Sequence, residues 1–244
     1  MRARRGRRGG HCSDLELRVP SLKLRAGIRL FAKRANGYNV IGDKRMAQVP
    51  VVTEQQPLTL NVKAIGLTDE QFEKLCADNP ELRLELTAER ELVIMAPAGS
   101  KSGWRSGVLF QRLANWAEKD KGGITFDSST GFALGNGAKR SPDASWMRRA
   151  RWDSLTEEQQ EAFAPLCPDF VAEIRSPSDS LPALMAKMRE YLENGAQLGW
   201  LIDPLERNTY IYRTGAPEEY VDAPTILRGD PVLPHFVFDV TEIW

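Results

Sequence analysis

Three side chains near the middle of this 244-residue chain have the types and the order to act on a phosphodiester. Asp143 follows Pro142 at the mouth of one apolar run. Glu173 lies inside another, Phe170-Val-Ala-Glu-Ile174. Lys187 falls in a helix-like segment shortly after. Mg²⁺ takes oxygen ligands and keeps several waters, so one or two carboxylates and a substrate phosphate are enough to hold it. Such a metal lowers the pKa of a water and neutralises charge developing on the phosphorus. A lysine beside it can position that water or help deprotonate it.

Each residue also has an ordinary reading. A buried carboxylate is costly unless it is paired or bound to metal, and Arg175 or Arg140 could pair Glu173. An aspartate after proline is commonly a turn or cap residue. Lys187 borders the apolar stripe of Leu184, Met188 and Tyr191, where a lysine can snorkel to solvent.

Composition narrows the alternatives. The only histidines are His11 and His235, so histidine triads and His-rich metal sites are poorly supplied. Cys12, Cys76 and Cys167 are odd in number and widely spaced. That pattern gives neither a zinc site nor a disulfide framework, and points to a reducing cytoplasm. No apolar run approaches the roughly 18 residues of a membrane span, and no signal-peptide pattern opens the chain. Lys+Arg and Asp+Glu number 33 each, but unevenly: residues 1–45 hold 13 basic and 3 acidic side chains, residues 46–244 hold 20 and 30.

This asymmetry divides the chain into a basic extension over 1–45, a Pro- and polar-rich lead-in over 46–64 and a domain over 65–244. The extension has no sustained hydrophobic period, so little regular structure is expected there. It reads as a nucleic-acid arm, as an Arg-rich transit peptide, or as upstream sequence translated from a misassigned start. Met46-Ala-Gln-Val-Pro resembles an ordinary bacterial N-terminus and favours the last.

Within the domain, Thr68-Asp-Glu-Gln71 is a capping-box pattern opening a short helix. Arg83–Thr87 and Glu91–Ala96 read as a hairpin. The Gly/Ser-rich stretch 98–103 reads as a loop without the Gly-Lys-Ser/Thr ending of a nucleotide cradle. A long helix follows through Leu109 and Leu113, stopped by Gly122-Gly123. Strands are expected at Ile124–Phe126, Asp143–Met147, Phe170–Ile174 and Leu198–Ile202, with an edge strand at Asn208–Tyr212 and a last one near Phe236–Phe238. Ser180 and Pro182 open a helix that ends at Gly195. The order implies an α/β or α+β fold: a central mixed sheet with helices on its faces, preceded by a helix and a hairpin.

The string Glu85-Leu, Asp127-Ser-Ser-Thr-Gly-Phe132, Ser141-Pro-Asp143, Cys167-Pro-Asp-Phe-Val-Ala-Glu-Ile-Arg-Ser-Pro-Ser-Asp179, Lys187-Met-Arg-Glu-Tyr191 and Gly195-Ala-Gln-Leu-Gly-Trp-Leu-Ile-Asp-Pro204 resembles the Uma2 family. That family is a branch of the PD-(D/E)XK restriction-endonuclease-like superfamily, and the resemblance covers about 65–244. It implies a Mg²⁺-dependent endonuclease (Mn²⁺ able to substitute) hydrolysing DNA phosphodiesters by in-line attack of water. Asp143 and Glu173 would be the metal ligands. The usual lysine position, two residues after the second acid, is Arg175 here, which ionises too strongly to act as a base but can clamp a phosphate. Lys187, on the following helix, matches a relocated catalytic lysine. Glu85 would add a ligand or orient a water. DNA as partner calls for a basic surface, for which Lys101, Arg105, Lys139, Arg140, Arg148, Arg149 and Arg151 are the candidates, and two-strand cleavage would favour a homodimer. A catalytically silent nuclease fold used for binding or regulation remains a second reading, and a purely structural Glu173–Lys187 ion pair a third.

Overall fold

The computed structural model describes residues 57–95 and 97–244. The readings of 1–45 and of the start of the lead-in fall outside them. The described chain opens with β1 (Leu58–Asn61), α1 (Asp69–Asp78), β2 (Arg83–Leu86) and β3 (Glu91–Met95). Then come α2 (Ser100–Asp120), β4 (Gly123–Asp127), β5 (Phe132–Ala133), β6 (Lys139–Arg140), β7 (Ala144–Arg148), α3 (Arg149–Trp152) and α4 (Glu157–Glu161). The remainder is β8 (Phe170–Ile174), α5 (Leu181–Glu193), β9 (Leu198–Asp203), β10 (Asn208–Arg213), β11 (Glu219–Asp222), β12 (Ile226–Arg228) and β13 (Val237–Asp239).

A mixed six-stranded sheet in the order β11-β10-β9-β8-β7-β4 forms the centre. Only β8 and β9 run parallel, and α5 makes the crossover that a parallel pair requires. The side chains of β8 alternate between two cores. Phe170, Ala172 and Ile174 pack with Leu109 and Leu113 of α2, while Val171 packs with Met188 and Tyr191 of α5. The sheet is thus covered on both faces, which is why β8 and β9 read as near-continuous apolar runs. Gly199 permits the close approach of α5: a Cβ there would lie 2.5 Å from Met188 Cε.

A second, antiparallel sheet runs β1-β3-β2-β6-β5 and buries Leu84, Leu86 and Leu92 with Phe72 of α1. The capping box at Thr68 and Gln71 is present as expected. The two sheets are joined where β6 leaves one and β7 enters the other, through only Ser141-Pro142-Asp143.

Several elements depart from expectation. Residues 58–61, read as lead-in, form β1 against β3. Ser100–Gly103, read as loop, are the first turn of α2, and that helix ends on Lys121 in the left-handed conformation (φ 61°) rather than on a glycine. The strand Asn208–Arg213 is interior, because the unforeseen β11 pairs with it and takes the edge.

Candidate functional site

The sheet register brings the two central acids together. Ala144 pairs with Ala172 and Ser145 with Val171 across the antiparallel β7–β8 ladder. Continued by one residue, that register sets Asp143 opposite Glu173. Directly opposed residues have Cβ atoms about 5 Å apart. Both acids fall on the α5 face, because Ala144 and Ala172 point to the α2 core. The Ile174 N–H donates to Asp143 Oδ2 at 2.8 Å and fixes one oxygen of that carboxylate.

Helix α5 supplies the counter-charge. Lys187 Nζ lies 2.8 Å from Glu173 Oε1 and donates at 2.8 Å to Glu85 Oε1. Tyr191, one turn later on the same face, donates its hydroxyl to Glu173 Oε1 at 3.0 Å. Glu85 enters from β2 on the side opposite to Leu84 and Leu86. It also accepts from the Ser141 N–H at 3.0 Å and from Arg140 at 3.1 Å, and Arg140 is itself held by Glu190 at 2.6 Å. The four residues singled out from sequence therefore converge.

Their electrostatics differ sharply. Burial would raise the Glu85 carboxyl, but Lys187 and Arg140 outweigh it and hold it at about 2. Burial pushes Glu173 up to about 7 against the pull of Lys187, with Asp143 and Glu85 adding repulsion. Asp143 is also raised, by burial foremost, while the Ile174 N–H and the charges of Arg83 and Lys187 oppose the shift. Burial disfavours the Lys187 ammonium, yet Glu173 and Glu85 more than compensate and keep it protonated. The site thus carries more negative charge than its cations satisfy. Among the described residues, Asp143 Oδ1 and Glu173 Oε2 accept no hydrogen bond, whereas both oxygens of Glu85 are taken. Two adjacent, under-compensated carboxylate oxygens fit a hard divalent cation that completes its shell with water and phosphate. A set of three or more His, Cys, Asp or Glu side chains poised for a metal is absent among the described residues.

Glu173 does not pair with either arginine considered from sequence. Arg175 donates to the buried Asp203 at 2.6 Å, and Arg140 goes to Glu85 and Glu190. The basic candidates for DNA also scatter. Arg105 is buried and donates to the Ile243 carbonyl, and Lys139 is buried against Asp69 at 3.1 Å. Arg148 ends β7 and Arg149 and Arg151 follow it, about 17 Å from Asp143 at 3.3 Å per residue. Arg148 and Arg151 are engaged there with Asp169. Sequence reasoning left Tyr191 among apolar packing residues; its position four after Lys187 was the available signal.

A family model, Uma2 (putative restriction endonuclease), matches residues 69–241. The chain belongs to the Uma2 family. The fold agrees with the crystal structure of a putative nuclease belonging to DUF820 from Anabaena variabilis ATCC 29413, at a TM-score of 0.57 and 21% identity over 66% of this chain and 88% of that one. No curated protein matches the chain. Among the described residues, no helix of this Uma2 protein is long and apolar enough to cross a membrane.

Proposed function

We propose that the chain is a divalent-metal-dependent endonuclease acting on DNA phosphodiesters, with Asp143 and Glu173 as metal ligands. The observation that carries this is the opposition of these two acids on one sheet face, each with an oxygen that accepts no hydrogen bond among the described residues. Mg²⁺ or Mn²⁺ held there would supply Lewis-acid activation of water and neutralise charge on the phosphate. The chain's own residues do the rest. Tyr191 and Lys187 fix Glu173 Oε1, leaving Oε2 available to a metal. The Ile174 N–H does the same for Asp143, leaving Oδ1. Lys187, protonated between Glu173 and Glu85, acts as a donor that orients the attacking water and offsets transition-state charge rather than as a proton acceptor. Glu85, saturated by Arg140, Ser141 and Lys187, positions that ammonium and does not serve as a third ligand.

The test is a cleavage assay on single-stranded, double-stranded and branched DNA with Mg²⁺ or Mn²⁺. Asp143→Ala, Glu173→Ala and Lys187→Gln are each expected to abolish cleavage. Equal cleavage by wild type and all three variants would sink the assignment. The two 2.8 Å contacts of Lys187 also favour a second reading, a structural ion-pair site in a silent nuclease fold. Calorimetric titration separates the two: absence of Mg²⁺ and Mn²⁺ binding by wild type selects the ion pair.

A further inference from the structure

Among the described residues, every cation facing the two acids is committed to a carboxylate except one. Lys187 is shared by Glu85 and Glu173, Arg140 by Glu85 and Glu190, and Arg175 is held by Asp203. Arg83 differs. It lies two residues before Glu85 on β2, hence on the same face of that strand, and it is only half-buried. Among the described residues its head group has no carboxylate partner; Nη2 donates to the Ser128 carbonyl at 3.0 Å.

The register shows where that anchor sits. Asp127 pairs with Ala144 across β4–β7, so Ser128 stands opposite Asp143. Asp143 is therefore flanked by Glu173 on one side and by the Ser128 carbonyl, carrying Arg83, on the other. The Arg83 charge is felt at Asp143, where it favours the ionised carboxylate. A guanidinium that spends one N–H on a carbonyl keeps four more in a planar fork, suited to two phosphate oxygens.

We propose that Arg83 is a substrate-binding residue, clamping a DNA backbone phosphate beside the Asp143–Glu173 pair on the side away from Lys187. This rests on the nuclease reading above. It also accounts for how a domain with an excess of acids holds a polyanion at this spot: the charge is supplied locally by a side chain not otherwise neutralised.

The variant Arg83→Gln removes the charge and leaves a polar side chain on the same face of β2. Binding to a 30-base-pair duplex, followed by fluorescence anisotropy in Ca²⁺ over a range of salt, is expected to weaken about tenfold, and the log–log salt slope to fall by about 0.9, the value of one phosphate contact. Arg83→Lys is expected to restore the slope and most of the affinity. Calorimetric Mg²⁺ affinity without DNA is expected to remain within about twofold of wild type for both variants. If Arg83→Gln binds with the wild-type affinity and slope, or if Arg83→Lys behaves like Arg83→Gln, the clamp is overturned while wild-type cleavage leaves the nuclease reading standing. If wild type neither binds nor cleaves DNA, the nuclease reading falls and the clamp with it.

Discussion

The two faces of the central sheet are built from the same strands and used in opposite ways. Toward α2, β7, β8 and β9 present Trp146, Phe170 and Trp200: Trp146 packs edge-on with Trp116, and Trp200 packs edge-on with Phe170 and stacked with Phe236, at ring separations of 5.0 to 5.9 Å. Toward α5 stand Asp143, just before β7, Glu173 of β8 and Asp203 of β9. One residue of offset separates an aromatic core from a cluster of buried charge, because side chains alternate along a strand. The α2 face supplies burial of apolar surface. The α5 face carries desolvated charges, which rarely add net stability even when paired. Stability and chemistry are thereby separated onto the two faces of one sheet.

This separation can be broken from either side. Trp200→Ala is expected to have the largest effect on stability, a loss of about 3–5 kcal/mol from the cavity it opens between Phe170 and Phe236. Metal affinity of the fraction that remains folded should be unchanged; a parallel loss by calorimetry would mean that the faces are coupled. Glu85→Gln comes next. A carboxylate held at about 2 stabilises the fold above its ordinary range and loses that contribution as pH falls from about 4.5 toward 2. Wild type should therefore melt higher than Glu85→Gln at pH 7, and the gap should narrow steadily on acidification from about pH 4.5 toward pH 2. A gap independent of pH would show that hydrogen bonding, not charge, is what Glu85 contributes. Gly199→Ala is smaller: Met188 Cε must give way, at about 1 kcal/mol or slightly more. Since Met188 and Lys187 are neighbours on α5, cleavage should fall more than the melting temperature suggests.

How much of this is legible in the sequence follows from the range of the interactions involved. The capping box at Thr68 is complete within four residues, and that helix begins where it was read. The strand around Glu173 was legible because its burial on both faces leaves a continuous apolar run. What was not legible depends on partners distant in sequence. β1 is a strand because β3 lies beside it, and β10 is interior because β11 covers it. Neither fact is written in the segment itself. The meeting of Asp143, Glu173 and Lys187 was legible only as types in order. The partners that set their charges were not: Arg175 goes to Asp203 across a parallel ladder, and Glu85 reaches Lys187 over 102 positions. Tyr191 was missed because a tyrosine on an apolar stripe gives no sign that its hydroxyl is bound.

The smallest expected change in stability belongs to the residue at the centre of the chemistry. Glu173→Gln retains an oxygen to accept from Tyr191 and Lys187 and removes only a charge that burial disfavours. The wild-type carboxyl, raised to about 7, holds its proton in the folded state over a range where the unfolded chain has lost it. Its contribution to stability is present below about 4.5 and is lost as pH rises through 7. In EDTA, the melting temperature of Glu173→Gln relative to wild type should therefore climb between pH 5 and pH 7 and level off above pH 8. Metal binding should be lost throughout, since the neutral amide is a poor ligand for a hard cation. A variant at least as stable as wild type and unable to bind metal would locate on one carboxylate the trade of stability for function that buried charge implies. If Glu173→Gln instead melts well below wild type at pH 8, Glu173 is chiefly an anchor for Lys187, and the α5 face is built for structure as the α2 face is.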